Sequence, residues 1–360
     1  MKIKKTPGFF DIYERTEKLT RMGDPLVGLN DRINWEAFRA DLDQVYQKER
    51  KSNAGAKPID VVLMFKILVL QQLHNLSDDR IEYQIRDRLS FMRFLCLQIE
   101  DRVPDAKTIW LFRERLKQGN LMEVLFARFH AQLATQGYVA RAGQMIDATF
   151  VEVPRQRNTR EENAQIKAGD TPADWQAPET KAKLRQKDVD ARWTKKNNEQ
   201  HYGYKNHINA DQAHKLIQAY QVTDAAVHDS QVFDVLLDQT VQDDGTGNGK
   251  KRAVFADSAY RSKEKEEQLA VAGIRSEICE KGACNHRLTA LQKATNTAKS
   301  RVRSRVEHVF GAQAQMGGHI VRTIGILRAE VKIGMMNLVY NMIRLCQLHK
   351  RDRRDATAVA

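Results

Sequence analysis

Three acidic residues stand in surroundings that are unusual for solvated side chains. Asp147 lies within the apolar run MIDATF, and Asp257 ends a second apolar run in VFADSAY. Glu307 lies in RVRSRVEHVFG, with apolar residues on both sides. Burying a carboxylate is costly unless it is paired, hydrogen-bonded or bound to a cation. The three acids are therefore candidates for a shared site that binds cations.

Each acid also has a simpler interpretation. A carboxylate at the end of a strand can cap a neighbouring backbone amide, and Glu307 can pair with Arg303, four residues earlier on one face of a helix. Two acids on separate strands of one sheet weaken this interpretation. If the strands are adjacent and central, both carboxylates reach the same edge of the sheet.

A site of carboxylate oxygens suits Mg²⁺ or Mn²⁺, which complete their coordination with water and phosphate oxygens. Two such ions, roughly 3.5–4 Å apart, can clamp an in-line displacement at phosphorus. The chain carries 59 Lys and Arg against 46 Asp and Glu, a formal net charge of +13. This surplus favours a polyanionic partner such as nucleic acid. An acidic two-ion site in a basic chain is the arrangement expected of an enzyme that cuts or joins nucleic-acid backbones.

The acids need a sheet to position them, and the apolar residues take the period of strands from Gln144 onward. Strands are expected at 144–153, 201–210, 216–223, 252–256 and 274–279. Helices are expected at 231–241, 263–272, 299–315 and 331–349. The order begins as an antiparallel meander and continues as strand–helix crossovers. It predicts an α/β fold, a mixed sheet with helices on both faces.

The region before this sheet predicts an all-helical module. Apolar residues recur at helical spacing over 58–73, 78–95, 105–117 and 121–136. Residues 1–55 are polar and are expected to form an irregular or partly helical arm. Residues 155–200 are highly charged with almost no aliphatic pattern, so we expect a solvated helical or mobile insertion.

Composition excludes several classes of protein. A hydrophobic content of 42% excludes dominant disorder, and 19 Gly with 7 Pro excludes a collagen-like chain. The longest apolar stretch, Ile59 to Leu73, includes Lys66 and is shorter than the roughly 20 residues of a membrane span. Four cysteines do not make a disulfide scaffold. We expect a cytoplasmic protein without a membrane partner.

Several blocks resemble, in order, the core of bacterial insertion-sequence transposases of the DDE type, specifically the insertion-sequence-5 group. They are MIDATFVEVP, HYGYKNHINAD, VTDAAVHDSQ, FADSAY and RVEHVFG. The stretches LSDDRIEYQIRDRLSFMRFLCL and VPDAKTIWLFRERL resemble the N-terminal domain of that group. The resemblance implies an RNase H-like catalytic domain in which Asp147, Asp257 and Glu307 are the catalytic triad and bind two Mg²⁺ or Mn²⁺ ions. It also implies cleavage of element ends and transfer of the freed 3′-hydroxyl into target DNA.

The same resemblance implies a domain plan and partners. The expected plan is an N-terminal arm at 1–57, a helical DNA-binding domain at 58–140, a catalytic domain at 141–349 with a charged insertion at about 154–200, and a basic tail at 350–360. The expected partner is double-stranded DNA, both the terminal inverted repeats and the target. A homodimer on DNA, associated with the bacterial nucleoid, is also expected.

The resemblance suggests some of the DNA contacts. Relatives often carry Tyr, two residues, Arg, three residues, Glu, six residues and Lys. Arg303 and Glu307 match this signature, whereas Ser300 and Ala314 occupy the Tyr and Lys positions. We therefore expect Arg303 to contact DNA. The contacts that relatives make through the Tyr and Lys of this signature have no matching residue here.

Other DNA contacts are inferred from residue type and position. Lys205 and Tyr260 belong to the strand blocks, and Lys107 and Arg113 lie on the helix at 105–117, which would form a helix-turn-helix-like reader with 78–95. A solvated strand face is the alternative for Lys205, and packing at the sheet–helix junction is the alternative for Tyr260.

Two other functions remain open from the sequence. One is a DNA-binding repressor on a degenerate nuclease scaffold, which the intact acid triad argues against. The other is a structure-specific nuclease of the same fold, which would cut without dependence on terminal repeats and without joining strands.

Overall fold

The structure is a computed structural model that describes residues 11–46, 57–138, 143–153, 157–176, 179, 185–196, 198–238, 252–282 and 287–359. The chain divides into two compact units, Met1–Arg128 with Leu345–Ala360, and Phe129–Arg344. We describe each unit by itself.

Short helices form the N-terminal region, and several of them begin at a residue whose side chain caps the helix. They are Asp11–Arg21, Pro25–Arg32, Arg39–Leu42, Val61–Leu73, Asp78–Asp87, Leu89–Leu95, Ala106–Gln118 and Leu121–Thr135. Asp60, Ser77 and Asp105 each precede a helix and accept a hydrogen bond from the backbone N–H three residues later. Such caps satisfy N–H groups that have no partner within the helix.

The structure changes one expectation for this region. The helix expected over 78–95 ends at Asp87 because Arg88 is extended, with φ −103° and ψ 114°. A continuous helix would turn Phe91 and Phe94 away from the face that carries Ile81, whereas the break lets all three be buried. The arm, expected to be irregular or partly helical, contains helices over 11–46, and its apolar side chains Leu29, Phe38 and Leu42 are fully buried.

Six strands form the sheet of the second unit. They are β1 (Gly143–Glu152), β2 (Arg192–Lys196), β3 (Glu199–Asp211), β4 (Ile217–Asp224), β5 (Ala253–Ala256) and β6 (Arg275–Ile278). β3 pairs antiparallel with β1, β2 and β4, while β5 lies parallel to β1 and β6 parallel to β5. The sheet is mixed, as predicted, with β1 at its centre.

The helices of this unit include Phe233–Leu236, Lys263–Val271, Ala290–Arg303 and Glu307–Gln315, and Ile326–Val359 begins here. The helix expected over 299–315 is interrupted, because Ser304–Val306 forms a 3₁₀ turn. A 3₁₀ turn winds more tightly than an α-helix, so residues on either side do not share one face. The expected helix at 231–241 is helical at 233–236, and residues 239–241 lie outside the described residues.

The charged insertion is more ordered than expected. Its described part contains helices Arg160–Lys167 and Ala173–Gln176 and strand β2. Trp175 is buried, with its Nε1 2.9 Å from Glu162 Oε1, and the ammonium of Lys187 lies 5.4 Å from the Trp175 ring centre. Lys187 Nζ also lies 2.9 Å from Glu162 Oε2. This small core depends on ion pairs and one aromatic ring. It therefore has no periodic pattern of aliphatic residues from which it could be predicted.

A buried amide network connects two helices to the sheet. The Nδ2 atom of Asn206 on β3 donates to Asn337 Oδ1 at 3.0 Å, and Gln313 Nε2 donates to the same oxygen at 2.7 Å. All three side chains are buried. Buried amides are costly to leave unpaired, so this network fixes the orientation of helix Glu307–Gln315.

Candidate active site

The two aspartates meet at the centre of the sheet. In the parallel pair of β1 and β5, Gln144 lies opposite Val254 and Met145 opposite Phe255. Two further residues in this register place Asp147 opposite Asp257, and neighbouring strands lie about 4.8 Å apart. The sequence prediction that adjacent strands bring both carboxylates together is consistent with this register.

Asp147 is the more buried of the two, at 8% exposure. Burial raises the pKa of its carboxyl, the Arg303 guanidinium opposes this rise, and the nearby charge of Asp257 adds to it. Asp147 Oδ1 accepts from the Ala148 amide at 2.9 Å, and Oδ2 accepts from Arg303 Nη1. The carboxylate thus already pairs with a cationic group inside the protein.

Asp257 is half-buried and caps the 3₁₀ turn Ser258–Tyr260. Its Oδ1 accepts from the Ala259 amide at 2.8 Å. One of its two oxygens therefore caps a neighbouring backbone amide, as the simpler interpretation of a strand-end acid predicts. The hydrogen bond also restrains the orientation of the carboxylate.

Glu307 begins helix Glu307–Gln315 and is exposed. The neighbours Val306 and Val309 are fully buried, so the apolar surroundings in the sequence do not shield this acid. Arg303 pairs with Asp147 rather than with Glu307. The segments before Glu307 pack on the strands that carry the aspartates, since helix Ala290–Arg303 contacts β5 and turn Ser304–Val306 contacts β1.

No three His, Cys, Asp or Glu side chains lie close enough to hold a metal ion together in the part of the chain that the structure describes. The donor chemistry of the aspartates nevertheless fits a divalent cation. Both are carboxylates, and Asp147 binds a guanidinium where a cation would bind. The triad and its metal ions stay predictions.

A second buried carboxylate, that of Asp229, lies in the turn Asp229–Gln231 after β4. Asp229 Oδ1 lies 2.8 Å from Lys205 Nζ, which also donates to the Val227 carbonyl at 2.7 Å. The His207 ring lies beside them, with Nε2 2.9 Å from Thr223 Oγ1. The sequence analysis did not pair Asp229 with Lys205. The signal was present in the alternation of β3, where Lys205 and His207 share one face of an apolar strand.

The predicted DNA contacts Lys205 and Tyr260 are both enclosed. The Lys205 ammonium is engaged by Asp229, and Tyr260 is 1% exposed, with its ring centre 5.8 Å from that of Phe233. Burial and then the charges of Asp229 and Asp147 raise the pKa of the Tyr260 phenol. Neither side chain offers a surface to DNA in this structure, so the packing alternative describes Tyr260.

Arg303, the other candidate in this unit, donates to Asp147, and its contact with DNA stays a prediction. The last two candidates lie in the helical unit. Lys107 is exposed in the first turn of helix Ala106–Gln118. Arg113 donates to both carboxylate oxygens of Asp78, each at 2.8 Å, and to Gln71 Oε1 at 3.1 Å. A role for either residue in DNA binding stays a prediction, and for Arg113 it competes with these contacts.

The buried His207 predicts acid sensitivity of this unit. Burial lowers the pKa of His207 to about 4, the Asp229 charge opposes this, and the Lys205 charge adds to it. A histidine held neutral stabilises the fold above its unfolded pKa of about 6.5 and loses that contribution as pH falls toward about 4. We expect the free energy of unfolding to fall across this range by up to about 3 kcal/mol, because one pKa unit corresponds to about 1.4 kcal/mol.

Urea unfolding from about pH 7 to about pH 4 measures this loss. His207→Gln should flatten the profile, whereas His228→Gln, which changes an exposed histidine, should leave it as in the unmodified protein. A His207→Gln profile as steep as the unmodified one would contradict the prediction.

No helix in the described part of the chain is long and apolar enough to cross a membrane.

Comparison with known proteins now identifies the chain. Residues 140–342 match the transposase DDE domain, and residues 14–115 match a transposase domain (DUF772). Proteins with the DDE domain are polynucleotidyl transferases that generally use divalent metal ions. A solved structure of a piggyBac transposase synaptic complex with hairpin DNA is similar over 93% of this chain and 77% of that chain, with 14% identity and a TM-score of 0.47. The first match covers more than half of the residues, so the chain belongs to the transposase DDE domain family, and its sheet-bearing unit has the RNase H-like fold of a DNA transposase.

Proposed function

We propose that this transposase cuts DNA at the ends of an insertion-sequence-5-type element and joins the freed 3′-hydroxyl to target DNA, with Asp147, Asp257 and Glu307 as its catalytic acids. The observation that supports the proposal is the parallel register of β1 and β5, which, continued two residues beyond Met145 and Phe255, leads to Asp147 and Asp257, together with the effect of the Asp257 charge on the pKa of Asp147. Two neighbouring carboxylates, one of them buried, favour the binding of a cation.

Two Mg²⁺ or Mn²⁺ ions held by these acids would activate the attacking oxygen and neutralise charge on the leaving oxygen. The protein prepares the ligands in three ways. The Ala259 amide orients Asp257, the Arg303 guanidinium balances the buried charge of Asp147, and the amide network fixes the helix that begins at Glu307. Glu307 is the exposed member of the set.

The proposal extends to the assembly and its location. The partner is double-stranded DNA, both the element's terminal repeats and the target, and the protein acts as a homodimer that pairs two ends. It works in the bacterial cytoplasm on nucleoid DNA. The surplus of basic residues supports a polyanionic partner.

The test uses the full-length protein and end-labelled duplexes that contain the DNA flanking its coding region. In Mg²⁺ we expect nicking at the repeat end and joining of that 3′-end to a second, unlabelled duplex. An unrelated duplex of the same length should give neither product. Cleavage of both duplexes without joining would establish the nuclease alternative, and binding without any Mg²⁺- or Mn²⁺-dependent cleavage would establish the repressor.

A further inference from the structure

Four side chains form a cluster at the end of β1, which we call the Lys196 cluster: Lys196, Lys205, Asp229 and Phe150. Lys205 Nζ lies 2.8 Å from Asp229 Oδ1, and Lys196 Nζ lies 3.7 Å from Asp229 Oδ2. The two ammonium groups lie 5.3 Å and 5.7 Å from the Phe150 ring centre, with Lys205 the nearer. One carboxylate and one aromatic ring thus hold two cations.

The cluster carries an unbalanced positive charge. A single carboxylate cannot neutralise two ammonium groups, and the neighbouring His207 is neutral at pH 7 because burial lowers its pKa to about 4. Lys205 is buried and lies closer to Asp229 than Lys196 does. The positive charge that Asp229 does not neutralise is therefore that of Lys196. The Lys196 side chain is 44% exposed, which leaves its ammonium open to a ligand.

The cluster lies beside the proposed catalytic acids. The turn Asp229–Gln231, which carries the carboxylate of the cluster, contacts the turn Ser258–Tyr260 that Asp257 caps. The charge of Lys196 opposes the larger effect of burial on the pKa of Asp147, so its ammonium is within electrostatic reach of that carboxylate. An anion bound by Lys196 would therefore lie close to a phosphate held at Asp147 and Asp257.

We propose that Lys196 binds a phosphate of the DNA strand being cut, next to the scissile phosphate, and that Asp229, Lys205 and Phe150 position its ammonium. Lysine binds phosphate as a compact point charge, which suits a contact held by one carboxylate and one ring. Strand β2, which belongs to the charged insertion, thereby contributes to the active site. The inference rests on the proposed function, because it names the substrate group that lies beside the catalytic acids.

The experiment compares Lys196→Met with Lys195→Met in the full-length protein. Lys195 is the preceding residue of β2, is also exposed, and points to the opposite face of the strand. Binding to the duplex that contains the flanking DNA is measured over a range of salt concentrations. Loss of one phosphate contact should reduce the slope of log K against log salt by about 0.9 and weaken binding at low salt by about three- to tenfold.

We expect Lys195→Met to keep the unmodified slope and Lys196→Arg to restore most of it. Ethylation of individual phosphates should interfere with binding at the position next to the cleavage site in the unmodified protein, and this interference should disappear in Lys196→Met. Thermal unfolding monitored by circular dichroism should be unchanged, since the replaced side chain lies at the surface.

The outcomes separate this inference from the proposed function. If Lys196→Met binds with the unmodified slope and interference pattern, the phosphate contact is wrong even where the unmodified protein cuts and joins DNA. If the unmodified protein binds the duplex but neither cuts nor joins it, the proposed function fails, and the slope difference still decides whether Lys196 contacts a phosphate.

Discussion

Asp257→Asn is expected to lower the rate of strand cleavage by about a thousandfold or more while DNA binding stays nearly intact. Asparagine keeps an oxygen that can accept from the Ala259 amide, so the 3₁₀ turn after β5 is preserved. It removes the negative charge that a divalent cation needs as a ligand. A loss of about 4 kcal/mol of transition-state stabilisation corresponds to about a thousandfold in rate.

Glu307→Gln should give the same loss of cleavage with no cost in stability. Glu307 is exposed, and no ion pair with it is present among the residues that the structure describes. If Glu307 had no catalytic role, its replacement would therefore leave both activity and thermal unfolding unchanged. Because this acid is the least enclosed of the three, its replacement is the sharpest test of the triad.

Cleavage and joining of the labelled duplex in Mg²⁺ and Mn²⁺, together with a filter-binding or mobility-shift measurement, decide both predictions. Asp234→Asn is the matched control, since Asp234 is an exposed acid on helix Phe233–Leu236 of the same unit. It should cut and join at the unmodified rate. Joining by Asp257→Asn or Glu307→Gln at the rate of this control would refute the triad.

The sheet could be predicted because its strands alternate or are continuously apolar over short runs. This pattern located β1, β3, β4, β5 and β6 to within a residue or two, and their order implied the mixed topology. Asp147 and Asp257 could be singled out for the same reason, since Asp147 is a charged residue within an apolar strand and Asp257 directly follows one. Periodicity thus specifies both the strand and the residue that violates it.

Features set by tertiary contacts could not be predicted in this way. The break at Arg88 exists so that Phe91 and Phe94 can be buried, and the 3₁₀ turn before Glu307 separates it from Arg303. The pairing of Lys205 with Asp229 joins β3 to a turn 24 residues later in the chain. Such contacts depend on how helices and strands pack against one another. They produce no periodic pattern of apolar residues in the sequence.

Asp188 shows how strongly one such contact can stabilise the charged insertion. Its side chain is 1% exposed, and the Tyr204 hydroxyl lies 2.8 Å from Oδ1 and 2.7 Å from Oδ2. The amides of Asp190 and Ala191 donate to Oδ1 at 3.0 and 3.1 Å, and the Gly325 amide donates to Oδ2 at 3.1 Å. A single carboxylate therefore connects the insertion to β3 and to the segment before helix Ile326–Val359.

Asp188→Ala is expected to lower the free energy of unfolding by about 3–5 kcal/mol. The substitution leaves a buried hydroxyl and three buried or half-buried amides without their acceptor, and each unsatisfied group costs about 1–3 kcal/mol before the structure relaxes. Burial and the Asp188 charge both raise the pKa of Tyr204, which is consistent with a hydroxyl that donates to an ionised carboxylate. Urea unfolding of the full-length protein measures the change.

Asp170→Ala is the matched control because Asp170 is an exposed acid of the same insertion. Surface substitutions of this kind change stability by about 0.5 kcal/mol or less. Asp188→Asn keeps one acceptor oxygen but turns an amide toward the donors, so we expect a loss between those of the control and of Asp188→Ala. If Asp188→Ala unfolds at the same urea concentration as Asp170→Ala, Asp188 does not hold the insertion to the sheet, and β2 must be positioned by its pairing with β3 alone.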